Sequence, residues 1–318
     1  MVPITEVAKR IFKIGPLETW SRTPATSPFL VVGQRAAILE PGETGQTPAL
    51  LAGIKELGVS LDRIDYIMAS HIHLHHIAGL DVLLKLVPNA KVVVHQRGAP
   101  HLVEPTRLNE STFQVWGEGC PSISPVPEDR VWGVAGGEVI DLGGRQLEII
   151  EAVGHAPHHM CIFDRLSRVL FPGDAVGILA LGRERARPDI LPPLYDLDKA
   201  VDSLRRLRAF NPSALFLFGY GGVSYNPVQT LQWGEDDVFA VRDIVRAALK
   251  ERVSYEEISR RVEEYYVRVG VVIPTGAEGG GVSASGMVAP PFIGMIRYLQ
   301  RQDPSLETPN WASESLAS

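Results

Sequence analysis

Short apolar runs alternate with stretches of helical periodicity over the first two thirds of the chain. Two runs, Phe29–Val32 and Ala36–Leu39, are separated by only three residues, a spacing that predicts a hairpin of two strands. Runs that are apolar at successive positions are typical of strands buried on both faces. Further strands are predicted at 64–69, 91–95, 139–140, 147–153, 161–164, 169–171 and 214–218.

Apolar residues spaced three and four positions apart predict helices in the remaining segments. In the strand-rich part of the chain these helices cover 48–56, 79–87 and 203–210. After residue 236 the pattern is helical throughout. Helices are predicted there at 237–252, at 254–269 with Ser254 and Glu257 as a capping box, and at 287–300 with an interruption near Pro290 and Pro291.

The segment 98–133 is rich in Pro, Ser and Glu, and it is predicted to be irregular, as a substrate loop or a lid would be. The segment 276–286 is rich in glycine and serine and is predicted to be a flexible linker. These patterns divide the chain into a strand-rich main domain over 1–235, a helical C-terminal extension over 236–303 and a flexible tail over 304–318.

Composition narrows the classes of partner and the compartment. The 318 residues are 45% hydrophobic and carry a formal net charge of -6, so we expect a globular protein without a basic surface for nucleic acid or anionic membranes. The two cysteines indicate a reducing compartment, and the first fifteen residues lack the long apolar run of a signal peptide or a spanning helix. We therefore expect a cytoplasmic protein with a small-molecule substrate, as a monomer or a homo-oligomer.

The strongest chemical signal is SHIHLHH at 70–76, directly after the predicted strand 64–69. Each neutral imidazole offers a nitrogen lone pair to an ion such as zinc or iron. Alternate side chains of an extended segment lie on one side, so His71 and His73 are predicted to converge on one ion. His75 and His76 follow where a helix should begin and can face a neighbouring site. A solvated histidine run or a purification tag is the competing interpretation, but tags lie at termini and lack interleaved apolar residues.

The other histidines limit where an imidazole site can lie. The chain has 9 histidines, and none follows His159. Any such site must therefore be built from the first half of the chain. His95 and His101 are candidates for substrate contacts or for ordinary loop positions.

Three segments, in order, resemble the metallo-β-lactamase superfamily, whose first motif is HxHxDH. SHIHLHH is similar to that motif, GHAPHH with His155 to the segment of the distal histidine, and FPGDAV with Asp174 to the segment of the bridging aspartate. The resemblance implies a four-layer αββα sandwich and a metal-dependent hydrolase. It also implies that a hydroxide held between two ions attacks an ester, lactone, amide or phosphoester.

Carried over by position, the resemblance implies two metal sites. His71, His73 and His155 would form the first, and His76 and Asp174 the second, with Asp174 bridging both ions and orienting the hydroxide. An aspartate after Pro172 and Gly173 could otherwise simply cap a turn. His158 and His159 are expected to support ligands through hydrogen bonds or to pack.

Two ligand positions depart from the family pattern. His75 replaces the aspartate of HxHxDH, and the last histidine is expected within LFLFGYGG at 215–222, where Gly219 or Tyr220 stands. Because His75 is neutral, about one more positive charge would stay uncompensated, and the second ion should bind more weakly. Tyr220 could steady a developing oxyanion in the vacated space, or it could be a core tyrosine.

Three outcomes are compatible with these departures. His75 ligates and a two-metal centre is preserved, or a three-histidine ion keeps an open water position, or the site is degenerate and the protein is a non-catalytic binder. We predict a hydrolase of esters, lactones or phosphoesters with one or two divalent ions. Zinc is the expected ion, and a di-iron oxygen-binding or redox protein on the same fold is the alternative.

Overall fold

Two β-sheets form the centre of the fold. The computed structural model describes residues 2–17, 26–180, 182–191, 193–219, 221–271 and 292–306. Within these ranges the first sheet has seven strands, which follow one another across the sheet in chain order. They are β1 (Ile4–Ala8), β2 (Ile11–Ile14), β3 (Phe29–Val32), β4 (Ala36–Leu39), β5 (Ile64–Met68), β6 (Lys91–His95) and β7 (Val131–Val134).

The second sheet has six strands in the described ranges, also in chain order across the sheet. They are β8 (Val139–Asp141), β9 (Gln146–Glu151), β10 (Met160–Asp164), β11 (Val169–Phe171), β12 (Ala214–Phe216) and β13 (Val223–Ser224). Strands β4 to β7 pair in parallel, and so do β11 and β12, whereas the other neighbours are antiparallel. Parallel strands carry the chain to the same edge of a sheet, where their following residues meet.

Helices cover the two outer faces. In the described ranges they are α1 (Thr47–Glu56), α2 (Leu74–Ile77), α3 (Leu80–Leu86), α4 (Ala99–Val103), α5 (Thr106–Trp116), α6 (Leu197–Ala209), α7 (Pro227–Glu251), α8 (Tyr255–Arg268) and α9 (Ile293–Gln302). No helix in these ranges is both long enough and apolar enough to cross a bilayer.

The core lies in layers that match this arrangement. Between the sheets, the Phe29 ring lies 5.1 Å from that of Phe171 and 5.9 Å from that of Phe216. On the outer face of the first sheet, Leu50 and Ile54 of α1 pack in one buried cluster with residues of the sheet and of α3. Separate buried clusters lie under α6 and between the C-terminal helices. The predicted αββα sandwich with a helical C-terminal region is therefore confirmed.

Most strand predictions agree with the structure within one or two residues. The predicted irregularity holds for 117–127, which form neither helix nor strand, but it is wrong for the first half of the segment 98–133. This segment contains α4 and α5. Two of its prolines stand at helix starts, Pro100 in the first turn of α4 and Pro105 at the N-cap of α5, where a missing N–H costs nothing. The Asn109 side chain then bonds both backbone groups of Ile123 and holds the returning chain against α5.

The helix predicted at 237–252 begins earlier, at Pro227, and the one predicted at 203–210 begins at Leu197 after the N-cap Asp196. Position 235 thus lies inside α7, and the division of the chain at 235 stays a prediction. The predicted linker 276–286 lies outside the described residues, as do the first part of the final predicted helix and most of the predicted tail.

Candidate metal centre

The histidine run begins where β5 ends. β5 lies inside the first sheet between the parallel strands β4 and β6. The chain leaves it at Met68 and enters α2 at Leu74, with His73 as the N-cap residue. His71 and His73 therefore lie on the turn before α2, and His75 and His76 lie on α2 itself. The second sheet contributes His155, from the turn between β9 and β10, and Asp174, which follows β11.

Three predicted ligands of the first site come together with Asp174. His71 Nε2 lies 2.8 Å from His73 Nδ1, and His155 Nε2 lies 3.2 Å from the same atom. One donor atom from each of these histidines and one Asp174 oxygen all lie within 4.8 Å of one another. We call these four residues the first donor group.

A second donor group adjoins the first. It contains His71, His75, His76 and Asp174, again with all donor atoms within 4.8 Å of one another. Asp174 Oδ2 lies 3.3 Å from His76 Nε2, 3.7 Å from His71 Nε2 and 3.9 Å from His75 Nε2. His71 and Asp174 thus belong to both groups, and the two groups together bring every predicted metal ligand into one cluster.

The outward-facing nitrogens of three histidines have fixed partners. His155 Nδ1 donates to the carbonyl of Asp189 at 2.9 Å, His71 Nδ1 lies 3.0 Å from Ser70 Oγ, and His76 Nδ1 lies 2.7 Å from Glu40 Oε2. Each contact directs the Nε2 atom of the same ring towards the donor groups. Such partners set the tautomer and the ring orientation of a metal-binding histidine.

Two buried residues next to Asp174 and His76 support them. The backbone N–H of Asp174 donates to His159 Nε2 at 3.1 Å. The ring of Phe218 packs on that of His76 with centroids 4.6 Å apart. His95 is fully buried, with its Nε2 3.3 Å from Glu151 Oε1.

Sequence reasoning missed Glu40. This residue follows β4 in a left-handed backbone conformation with φ of 56°, which non-glycine residues seldom adopt. Its side chain is buried, and Oε1 accepts the N–H of Ser70 at 3.0 Å while Oε2 meets His76. The available signal was a lone carboxylate at the end of the apolar run AAIL, directly before Pro41 and Gly42. Backbone strain at such a position is typical of a functional constraint.

Electrostatics divide the histidines into two classes. Burial, reinforced by neighbouring histidines, lowers the pKa of His71 and of His73 well below the ordinary value. Their rings are therefore neutral, with lone pairs available for a cation. Burial also lowers the pKa of His76, but Asp174 and Glu40 outweigh it and raise that pKa to about 10. Asp174 and Glu40 therefore keep the His76 ring protonated, and so positively charged, at the second donor group.

Asp174 remains a carboxylate. Burial raises its pKa, but His76 and the other histidines around it lower that pKa well below its usual range. Clustered neutral imidazoles around one ionised carboxylate are a donor set that suits divalent zinc or iron. The residues present therefore fit a metal.

The two departures from the family pattern have different structural outcomes. His75, which stands in place of an aspartate, is within the second donor group with a side chain 38% exposed. Burial and the neighbouring His76 lower its pKa, so it is a neutral donor. Gly219 is open: a Cβ added there would meet only Ile178 Cγ1, at 3.9 Å. Tyr220 lies outside the described residues.

The family model described as the metallo-beta-lactamase superfamily matches residues 22–220, more than half of the 318-residue chain. The chain belongs to the metallo-beta-lactamase superfamily. Proteins of this superfamily bind divalent metals, and the two donor groups could hold such ions.

Two curated relatives within the metallo-beta-lactamase superfamily match a large part of the chain. One is the metallo-beta-lactamase fold-containing protein ST1585 of Sulfurisphaera tokodaii, 33% identical over 172 residues, which are 51% of this chain and 62% of that protein. The chain thus spans less than two thirds of the length of ST1585. The other is the hydroxyacylglutathione hydrolase GloC of Haemophilus influenzae, 27% identical over 189 residues, which are 59% of this chain and 81% of that protein.

Solved structures of the metallo-beta-lactamase superfamily share the fold. The structure of ST1585 aligns with a TM-score of 0.59 and 24% identity over 82% of this chain and 98% of that one. The chemotaxis sensor ODP, in a peroxy diiron species, aligns with a TM-score of 0.54 and 17% identity over 74% of this chain and 94% of that one. GloC is thus a hydrolase by name among the relatives, and ODP, which shares the fold, is a diiron protein by name.

Proposed function

We propose that this protein is a metal-dependent hydrolase of small ester, lactone or phosphoester substrates. The observation that carries the proposal is the pair of donor groups that share His71 and Asp174. Two adjacent sites for divalent ions, joined by one carboxylate, are an arrangement that suits hydrolysis. The 27% identity to GloC, a hydrolase by name, supports the same chemistry.

The proposed ligands are the members of the two donor groups. His71, His73, His155 and Asp174 would hold the first ion, and His75 and His76 would join His71 or Asp174 around the second. A divalent ion bound there supplies Lewis acidity and makes water nucleophilic near neutral pH. The ion expected is zinc, and iron suits the same donors.

Asp174 has the proposed role of orienting the nucleophilic water. Its Oδ2 atom lies 3.3 to 3.9 Å from the ring nitrogens of His71, His75, His76 and His155. Because these rings hold its pKa low, the carboxylate stays an acceptor and directs a proton of the water without storing it. The N–H of Asp174 is fixed on His159, which keeps the carboxylate in place.

His76 has a different role in the proposal, because its raised pKa depends on two carboxylates. With Glu40 on Nδ1 and Asp174 near Nε2, the ring holds a proton until a cation displaces it. Metal binding should therefore release a proton from His76. The predicted role of Tyr220 in steadying an oxyanion stays a prediction, as does the small-molecule nature of the substrate.

A di-iron oxygen-binding or redox protein is the second candidate. The likeness to ODP is one of fold, and the histidine-rich donor set accepts iron as well as zinc. A non-catalytic binding protein is the third. Elemental analysis of the bound metal and measurement of turnover distinguish the three candidate functions, because each candidate predicts a different combination of these two results.

The test measures bound metal by elemental analysis and turnover on nitrophenyl esters, lactones and phosphotriesters, in the wild type and in His71→Ala. We expect one or two divalent ions and turnover in the wild type, and loss of both in the variant. Glu56→Ala, at an exposed position on α1 outside both donor groups, is the control and should behave as wild type. Full turnover by metal-free His71→Ala would overturn the proposal, and bound iron with an oxygen-dependent visible band and no turnover would favour the redox candidate.

A further inference from the structure

Helix α9 forms hydrogen bonds with a loop that supports a proposed metal ligand. We define the ligand-supporting loop as residues 188–191 and 193–196. The N–H of Gly294, in the first turn of α9, donates to the carbonyl of Ile190 at 3.1 Å. Arg301, in the last turn, donates from Nη1 to the carbonyl of Pro193 at 3.1 Å and from Nη2 to that of Tyr195. Both ends of α9 thus bond to the backbone of one loop.

The ligand-supporting loop also forms hydrogen bonds with the turn that contains His155. The carbonyl of Asp189 accepts Nδ1 of His155 at 2.9 Å. The N–H of Asp196 donates to the carbonyl of Gly154, the residue before His155, at 2.9 Å. The loop therefore fixes both the ring and the backbone next to it.

The approach of α9 to the loop requires glycine at one position. A Cβ added to Gly294 would lie 2.6 Å from the carbonyl oxygens of both Ile190 and Leu191. Contacts under about 3 Å cannot be accommodated without movement, and here the opposing atoms are backbone. Ile190 is fully buried and packs with Met295 and Ile296 in one apolar cluster, so the loop cannot withdraw freely.

We propose that α9 is a positioning element for the first donor group: through Gly294, Arg301 and the ligand-supporting loop it sets the orientation of His155. The inference rests on the proposed function in that it takes His155 as a metal ligand. Outer partners of metal-binding histidines set ring orientation and basicity, and their loss costs about 10-fold to 100-fold in metal affinity. The C-terminal region would then be part of the metal centre's support.

The test measures zinc affinity by chelator competition and the absorption spectrum of the cobalt-substituted protein. Gly294→Ala should push the loop away, and Arg301→Ala should release its far end. We expect each variant to bind zinc about 10-fold more weakly or worse and to change the cobalt spectrum. Gln302→Ala is the matched control, because Gln302 is exposed in the same last turn and has no described contact with the loop.

Thermal unfolding of the metal-free variants separates positioning from stability. A purely structural role would lower the unfolding temperature and leave zinc affinity and the cobalt spectrum unchanged, and that result would overturn the inference. If Gly294→Ala does not fold, Arg301→Ala decides, because it removes an exposed side chain and inserts nothing into the interface. A wild type that binds neither zinc nor iron would instead refute the proposed function itself.

Discussion

Glu40 Oε2 lies 2.7 Å from Nδ1 of His76, and this contact joins the end of β4 to the second donor group. The other carboxylate oxygen of Glu40 holds the N–H of Ser70, the residue before His71. One side chain therefore fixes the histidine run at both ends. The carboxylate also adds negative charge next to a site whose family aspartate is replaced by His75.

Glu40→Gln should weaken the binding of the second ion and leave that of the first nearly unchanged. The amide keeps the size of the side chain and can still accept from Ser70, but it removes the charge that faces His76. We expect the affinity for the second zinc ion to fall about 10-fold to 100-fold, with little change at the first site. Titration calorimetry of the metal-free protein with zinc resolves the two steps. Glu56→Gln, at an exposed position on α1, is the control; equal loss at both sites would contradict a selective role.

His71→Ala and His75→Ala should differ in metal stoichiometry. His71 belongs to both donor groups, whereas His75 belongs to the second alone. We expect His71→Ala to lose the first ion and, because the two groups also share Asp174, to hold the second ion less well, whereas His75→Ala should keep the first ion and bind the second more weakly. Elemental analysis after equilibration with zinc counts the ions per chain. If His75→Ala lost the first ion as well, the assignment of two separate groups would be wrong.

The imidazole cluster could be predicted from the sequence because its members are local. His71, His73, His75 and His76 lie within six residues after a buried strand, and few structures other than a metal site use such a run. His155 and Asp174 could be placed only through the family resemblance, since nothing near them in the chain shows that they meet the run. The αββα layers were predictable from the continuous apolar runs, which indicate buried strands, and from the order of the three family motifs.

What could not be predicted depends on pairing between distant segments. Glu40 reaches His76 because β4 and β5 run in parallel with Leu39 opposite Met68. The partner of His155 is a backbone carbonyl, which has no signature in side-chain chemistry. Strands β1 and β2 were missed because polar residues interrupt them: β1 has no buried residue and carries Thr5 and Glu6, and the four-residue β2 carries Lys13.

The stability of the metal-free protein should peak near neutral pH and fall more steeply on the acid side. Burial is the first cause that lowers the pKa of His71, His73 and His159, and it lowers that of His158 to about 4. Below the unfolded value of about 6.5, the unfolded chain binds protons that the folded chain refuses. Each such proton reduces the free energy of unfolding by about 1.4 kcal/mol per pH unit until the folded pKa is reached.

His76 contributes with the opposite sign. Its pKa is raised to about 10 in the folded state, so its stabilisation is complete below about 6.5 and is lost as pH rises through about 10. The pKa of His75 is lowered as well, so five histidines act on the acid side against one on the alkaline side. Urea unfolding of metal-free protein at pH 5, 7 and 9 measures the asymmetry, and a flat profile between pH 7 and 5 would show that the rings are not neutral in the folded state.

Gly219→His should strengthen the binding of the second ion. Gly219 follows Phe218, whose ring packs on His76, and a Cβ at this position meets only Ile178 Cγ1 at 3.9 Å. An imidazole added here would start from space that the described residues leave open, one residue from the ring that packs on His76, in the segment where the family resemblance expects its last histidine. A new coordinating ligand should matter at least as much as an outer partner, so we expect second-site zinc affinity to rise about 10-fold or more.

Gly219→Ala separates the effect of the donor from that of the added carbon. It fills the same space without a nitrogen, so its zinc affinity should equal that of the wild type, and calorimetry of both variants provides the comparison. Equal affinity in Gly219→Ala and Gly219→His would mean that a side chain at 219 does not reach the ion. In that case the other departure from the family pattern, His75 in place of the aspartate, would be the one that limits the binding of the second ion.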